Sequence, residues 1–547
     1  MRNTLVKKIA FFALILILLC GACACEQTGQ VSEGETQPQE EEKAEDTGPV
    51  RGGTLTLQSY NADTLHPLLT KSNSNIQVLG LIYDSLITFD DQLNVVPGLA
   101  ESWQVSDDGM TWTFQLRKDV KWHDGTGLTA NDVDFTFKAI NDKRYDSVYQ
   151  YNTQSVARFE VVDEYTFRVV LNRPYGGFIR MMYFPVLPKH QLQGLEIKSV
   201  DQDFKPIGTG PYRFAEYTPM KEIKLKASDT WWKDQSPYID EVIVRLMPDN
   251  QTALYALEAK EADFVVTDVV DWKKYNGKEN IRTKEFLTGA YEFIGVNFNH
   301  NVLSDKAVRK AMAYAIDRET IIDEVLLGHA RLSDVPMMPG TALYDESAYS
   351  YWLDREKAIE LLNQAGWTDS DNDGVLDKEI EGVVTPLAFE LVTNNENMIR
   401  EKSAEMIAAH LKDIGMNVTL KKAPWDDLKE MVDTKNFDAV LTGFDLAPSM
   451  DLSFAFHSEE IERGTNFISY RNAEMDDLLF QTFRAVDAAQ SRQAYAKLQK
   501  LIVEDVPYIS LYFRTSAVIY NGRLRGDINP ISTNLYNDIN KWYLLQQ

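Results

Sequence analysis

The chain has 547 residues, 44% of them hydrophobic, and a formal net charge of −26 at pH 7. The first 25 residues carry +3 and residues 26–50 carry −7, which leaves −22 on the rest. So acidic a body is unsuited to nucleic-acid phosphates, which need basic surface; it suits solubility and is compatible with a cationic ligand.

Arg2, Lys7 and Lys8 precede an apolar run, Ile9 to Leu19, followed by Cys20-Gly21-Ala22-Cys23-Ala24-Cys25. A basic start, a short apolar core and small residues at its end predict an export signal over residues 1–25. The run is shorter than the roughly 20 residues of a membrane-spanning helix. All three cysteines lie here, so the exported body is expected to have no disulfide and to be held by its core alone. Cysteines at the end of a signal resemble the lipobox of bacterial lipoproteins. That resemblance implies acylation of Cys23, after Gly21-Ala22, with Cys25 after Ala24 as the alternative; neither has Leu three residues earlier. Residues 26–50 hold eight acidic residues, one lysine and no aromatic. Such a stretch cannot bury enough apolar surface to offset ordering and reads as a disordered acidic tether.

The body, from Arg51, is long enough for two or three domains. Thr54-Leu55-Thr56-Leu57 alternates as a strand after Gly52-Gly53. Trp103 to Val105, a Ser106-Asp107-Asp108-Gly109 turn, then Trp112, Phe114 and Leu116 predict a hairpin with one buried face. Thr129 with Asp132 forms a capping-box pattern ahead of a helix whose stripe is Val133, Phe137 and Ile140. Further on, Ser304 is expected to cap a helix facing inward with Val308, Met312 and Ile316. A second helix is expected from about Met398 to Ile414, ended by Gly415. Strand-like runs at 417–420 and 437–441 follow. Helices alternating with short apolar strands indicate α/β lobes.

Several segments together resemble the extracellular solute-binding proteins of the peptide/nickel type (family 5), which serve ABC importers. The fullest match runs from Pro97-Gly98-Leu99-Ala100-Glu101-Ser102-Trp103 through Asp107-Asp108-Gly109 and Trp112-Thr113-Phe114. It continues in Val120-Lys121-Trp122-His123-Asp124-Gly125 and Leu128-Thr129-Ala130-Asn131-Asp132-Val133, with Gly127 as a departure. Gly208-Thr209-Gly210-Pro211-Tyr212, Val308 to Ala311 with Tyr314 to Arg318, and Asp505 to Ile509 with Leu511-Tyr512 follow in family order. The resemblance implies an α/β, two-lobed periplasmic-binding-protein-like fold (type II) with an extra small domain in the first lobe. Its implied divisions are first-lobe residues 51–90, 206–288 and 513–547, a small domain at 91–205 and a second lobe at 289–512. A monomer that closes on a short peptide, delivers it to permease subunits and is not an enzyme is the implied function. Other ligands of such proteins, a nickel chelate, an opine or an oligosaccharide, and a peptide-pheromone receptor role, stay open, since fold does not fix ligand.

In peptide-binding members an aspartate of the second lobe pairs with the ligand's α-ammonium, and Asp451 stands where it belongs. The family's following Pro is here Leu452, and its Trp after Gly443 is Phe444. A loop-capping carboxylate is the other reading of Asp451, and Asp445 is a lesser rival for the ligand role. Gly443, Phe444, Asn466 and Tyr470 are further ligand candidates, with Tyr60 and Asn61 after the first strand. For each aromatic a plain core role is the competing reading. Asp369, Asp371, Asp373, Gly374 and Asp377 have calcium-loop spacing, but the twelfth position is Ile380 rather than Glu. A structural calcium there competes with a simple acidic turn. No two of the seven histidines share a metal-ligand spacing, and no nucleophile elbow or Walker loop occurs.

Overall fold

The computed structural model describes residues 48–60, 62–195, 204–268, 271–278, 280–348 and 350–545. The signal, Cys23 and Cys25, residues 26–47 of the tether and Asn61 lie outside the described residues. Among the described residues no helix is long and apolar enough to cross a membrane.

The Thr-Leu alternation forms β1 (Thr54–Ser59), which buries Leu55 and Leu57 on one face. It belongs to a large sheet whose other strands are β2 (Tyr212–Thr218), β3 (Glu222–Ala227), β4 (Glu241–Leu246), β5 (Phe264–Thr267) and β6 (Ile281–Val296). The remaining members are β7 (Ala330–Leu332), β8 (Ala388–Asn394), β9 (Asn417–Ala423), β10 (Ala439–Asp445) and β11 (Tyr508–Asn521). They follow one path, β9-β8-β10-β6-β11-β5-β1-β4-β3-β2, with β7 beside β11.

The path is continuous because β6 and β11 are long, 16 and 14 residues. Ile281–Leu287 of β6 pairs with Thr515–Asn521 of β11, and Tyr291–Gly295 pairs with Tyr508–Phe513. A register shift separates the two halves. On one side β5 pairs with Ala517–Tyr520 of β11; on the other β10 pairs with Ala290–Val296 of β6. Each long strand therefore belongs to one α/β half at one end and to the other half at its other end. Gly289 lies in the shift. A Cβ there would sit 2.6 Å from the Leu446 carbonyl oxygen and 2.7 Å from Asp445 Oδ1, so glycine lets the two chains pass this close.

Each half has its own core. Leu55, Leu57, Val242, Val244 and Trp542 fill the first; Val308, Met312, Leu391, Ile407 and Leu411 fill the second. A separate four-stranded sheet holds the hairpin Ala100–Val105 and Thr111–Leu116, extended by Thr166–Leu171 and Val156–Val161. Trp112, Phe114 and Leu116 point into its core, where Phe114 stacks on Phe167 at 4.8 Å. The helix Ala130–Asn141 covers this sheet with Val133, Phe137 and Ile140 buried, and Asp132 accepts a hydrogen bond from the Thr129 N–H (2.9 Å). The same core runs on into Leu478, Phe483 and Leu498 of the helices Ala473–Arg484 and Ala488–Asp505.

Two sequence expectations need correction. The helix Lys306–Ala315 is capped by Asp305, whose side chain accepts from the Ala307 N–H, and not by Ser304. The Ser304 hydroxyl is drawn backwards onto the Asn301 carbonyl, and a carboxylate in the next position outcompetes it. The strand expected at 437–441 begins at Ala439 and runs to Asp445. Its polar end is held by β6 partners, Thr442 opposite Phe293 and Asp445 opposite Ala290, a tertiary pairing that local hydrophobicity does not report.

Candidate ligand-binding cleft

β10 ends at Asp445, and the chain turns through residues 446–452 before the short helix Ser453–Phe456. The turn is fixed from three directions. The Leu446 N–H donates to the Gly289 carbonyl at 2.8 Å. Arg180 Nη1 donates to the carbonyls of Leu93 (2.8 Å) and Pro448 (3.3 Å). Tyr495 Oη donates to the Met450 carbonyl at 3.0 Å, and Met450 adopts a left-handed φ of 60°.

This scaffold places Asp451 in the wall of a cavity of about 270 Å3. The loop-capping reading of Asp451 describes one of its oxygens, and the other faces a tyrosine hydroxyl. Oδ1 accepts from the Ser453 N–H (2.9 Å) and caps the short helix, while Oδ2 accepts from Tyr151 Oη (2.9 Å). Tyr151, on the helix Gln150–Thr153 of the small sheet's domain, is 300 residues away in sequence. Loss of water around it, then the Asp451 carboxylate, push the Tyr151 hydroxyl above its ordinary pKa and hold it as a donor.

The cavity is otherwise lined by Leu93, Pro336, Met338, the segment 444–452, Phe454, Phe513 and Ser532. Phe444 is among them; its ring contacts Phe293 (4.9 Å) and Phe454 (5.2 Å), so it is at once wall and core. Asp445 is there as well. Its side chain keeps solvent access, but crowding by protein raises its carboxyl above the usual range, with no charged neighbour contributing. A carboxylate in a wall of rings, proline and methionine can hold an ammonium by a charge-assisted hydrogen bond and leave the rest of a ligand to apolar contact.

The other sequence candidates among the described residues are not brought to this cavity. Gly443 faces away from it: a Cβ there would meet Arg400 Nη2 at 2.8 Å and the Glu292 carboxyl carbon at 2.9 Å. The glycine makes room for that buried ion pair, Arg400 Nε to Glu292 Oε2 at 2.8 Å. Asn466 is fully buried and spends its amide on the turn it sits in, donating to the carbonyls of His457 and Tyr470 and accepting from the Tyr470 N–H. Tyr470 is buried too, with its hydroxyl on Asp505 at 2.6 Å. Tyr60 donates to the Val266 carbonyl (3.2 Å), and burial followed by Asp268 pushes its pKa up to about 12. Sequence reasoning missed Tyr151, Leu93 and Ser532; the one available hint was the Tyr145, Tyr149, Tyr151 run, which nothing local ties to residue 451.

In the acidic turn, one carboxylate oxygen each from Asp369, Asp371 and Asp373 falls within 4.8 Å of the others, all exposed. Asp377 is turned instead onto the Ser370 N–H and hydroxyl, and Asp369 accepts from the N–H groups of Asp373 and Gly374. A larger cavity, about 470 Å3, is walled by residues 67–98, Tyr149, 183–185, Pro211, 231–233 and 527–540. None of its walls comes from β6, β8, β9 or β10, whereas the Asp451 cavity draws on both halves of the fold.

The profile described as "Bacterial extracellular solute-binding proteins, family 5 Middle" matches residues 94–458. The chain is 32% identical over 507 residues to the oligopeptide-binding protein AppA of Bacillus subtilis (strain 168), covering 91% of this chain and 92% of that one. The chain belongs to this solute-binding family. The solved structure of B. subtilis AppA in complex with a nonapeptide superposes with a TM-score of 0.67 at 30% identity, covering 91% of this chain and all of that one. NikZ from Campylobacter jejuni in complex with Ni(L-His) gives 0.68 at 25% identity, covering 90% and 99%. The two halves joined by β6 and β11 match the two-lobed periplasmic-binding-protein fold of this family, and the Asp451 cavity has lining residues from both.

Proposed function

We propose that this family 5 protein captures di- or oligopeptides in the Asp451 cleft and passes them to the permease of an ABC importer. The observation that carries the reading is the Asp451 carboxylate, one oxygen fixed by the Ser453 cap and the other facing a tyrosine hydroxyl across the cleft. A ligand's α-ammonium entering there replaces one hydrogen-bond donor by a charged one and gains a charge-assisted bond. Apolar walls that are indifferent to side-chain identity, and the similarity to an oligopeptide-binding AppA, support the same reading. A nickel complex fits less well, because among the described residues no histidine lines the cleft.

β6 and β11, crossing between the lobes at the register shift beside Gly289, act as the hinge over which the lobes close. The chain binds and releases without chemical turnover, is anchored outside the membrane by a lipid on Cys23 or Cys25, and works as a monomer. Mass spectrometry of small molecules released by denaturing the protein from a bacterial periplasm tests the ligand class. Short peptides of mixed sequence are expected; a metal complex or a sugar would contradict the reading.

A further inference from the structure

Among the described residues the cleft is lined by two carboxylates, Asp445 and Asp451, and by no lysine, arginine or histidine. A ligand with one ammonium neutralises only one of them. Asp451 is served by the Ser453 N–H and the Tyr151 hydroxyl. The other carboxylate differs in each respect. Among the described residues no donor lies within hydrogen-bond distance of Asp445, whose side chain keeps access to solvent, and no cation contributes to its ionisation. Its Oδ1 rests over Gly289, where a side chain would collide with it, so it is held at the cleft wall by packing rather than by a partner. Arg180, which holds the same turn, is spent on the Leu93 and Pro448 carbonyls, and Arg400 on Glu292. A carboxylate without a counter-charge in an otherwise largely apolar cavity wall is free to pair with a cation that the ligand supplies.

We infer that Asp445 selects cationic peptides: besides the α-ammonium at Asp451, the preferred ligand carries a second positive group, a lysine or arginine side chain, that pairs with Asp445. This rests on the peptide reading of the cleft and names its substrate class. The −22 carried by residues 51–547 draws such ligands in as well, but a field of that kind is sequence-blind and screened by salt, whereas pairing with Asp445 depends on charge at one place.

The test compares peptides that differ in that charge alone. Calorimetric titration of the full-length protein with tripeptides carrying arginine, or its neutral isostere citrulline, at each position gives a ratio of dissociation constants. At one position arginine is expected to bind about tenfold or more tighter than citrulline, as hydrogen bonds to charged groups imply. In Asp445→Asn that ratio is expected to fall to near one. Equal binding of arginine and citrulline peptides at every position of the wild-type protein overturns the inference while leaving peptide capture intact. A ratio that persists in Asp445→Asn also overturns it, since another group must then read the charge. Failure of every peptide to bind overturns the reading beneath it.

Discussion

Asp451→Asn is expected to weaken binding of a peptide with a free N-terminus by about 30-fold or more, on the scale of 2–5 kcal/mol for truncating one partner of a desolvated charge pair. The asparagine keeps the shape of the site. Its side-chain oxygen can still accept from the Ser453 N–H, so the helix Ser453–Phe456 stays capped, and only the charge facing the ligand is lost. Calorimetry reads the affinity, and a thermal melt reads the fold, whose Tm is expected to stay put. Loss of less than threefold with an unchanged Tm would move the ammonium anchor away from Asp451. Asp451→Ala would be harder to interpret, because it removes the cap and the Tyr151 contact together.

The largest effect on stability is expected at Asp334. Asp334 and Arg318 are 2% and 4% exposed at their side chains, and Asp334 Oδ1 accepts from Arg318 Nη1 at 2.7 Å. Oδ2 accepts from the N–H groups of Ser350 and Tyr351, while Arg318 also donates to the carbonyls of Ser333, Ser510 and Tyr351. One ion pair thus ties the helix Arg318–Val325, the chain after β7, the segment at 350 and β11 into the second lobe. Asp334→Ala leaves a guanidinium buried without its counter-charge and is expected to cost about 3–5 kcal/mol, lowering the Tm of that lobe by roughly 10 °C. Removing the exposed pair Lys357–Glu360 is expected to change little, about 0.5 kcal/mol or less. Denaturation of the two variants side by side checks both. Near-equal melts would show that Arg318 is re-solvated once Asp334 is gone.

Local pattern made much of the framework readable in advance. The alternation of Trp112, Phe114 and Leu116, the stripe Val133, Phe137 and Ile140, and the terminator Gly415 with its φ of +84° each report a neighbourhood a few residues wide. The cleft has no such local signature. It is assembled from Leu93, Tyr151, Met338, the segment 444–452 and Ser532, which lie far apart in sequence and meet only in the tertiary fold. Asp451 and Phe444, which line this cavity, are within reach of the sequence only through the family resemblance of that segment. Gly443, Asn466 and Tyr470 lie in the same stretch but serve packing. The glycine clears the Arg400–Glu292 pair, and the asparagine and tyrosine spend their polar atoms on neighbouring backbone and on Asp505. Polar side chains near a binding loop satisfy that loop first, and sequence does not distinguish the two uses.

The central claim is that this cleft holds a peptide by its α-ammonium on Asp451. It is tested most directly by titrating the protein with one short peptide in two forms, with a free and with an acetylated N-terminus. Acetylation removes the positive charge and leaves the side chains and most of the backbone unchanged. The free form is expected to bind about 30-fold or more tightly than the acetylated form, with that difference lost in Asp451→Asn. Equal affinity for the two forms in the wild-type protein would contradict the claim.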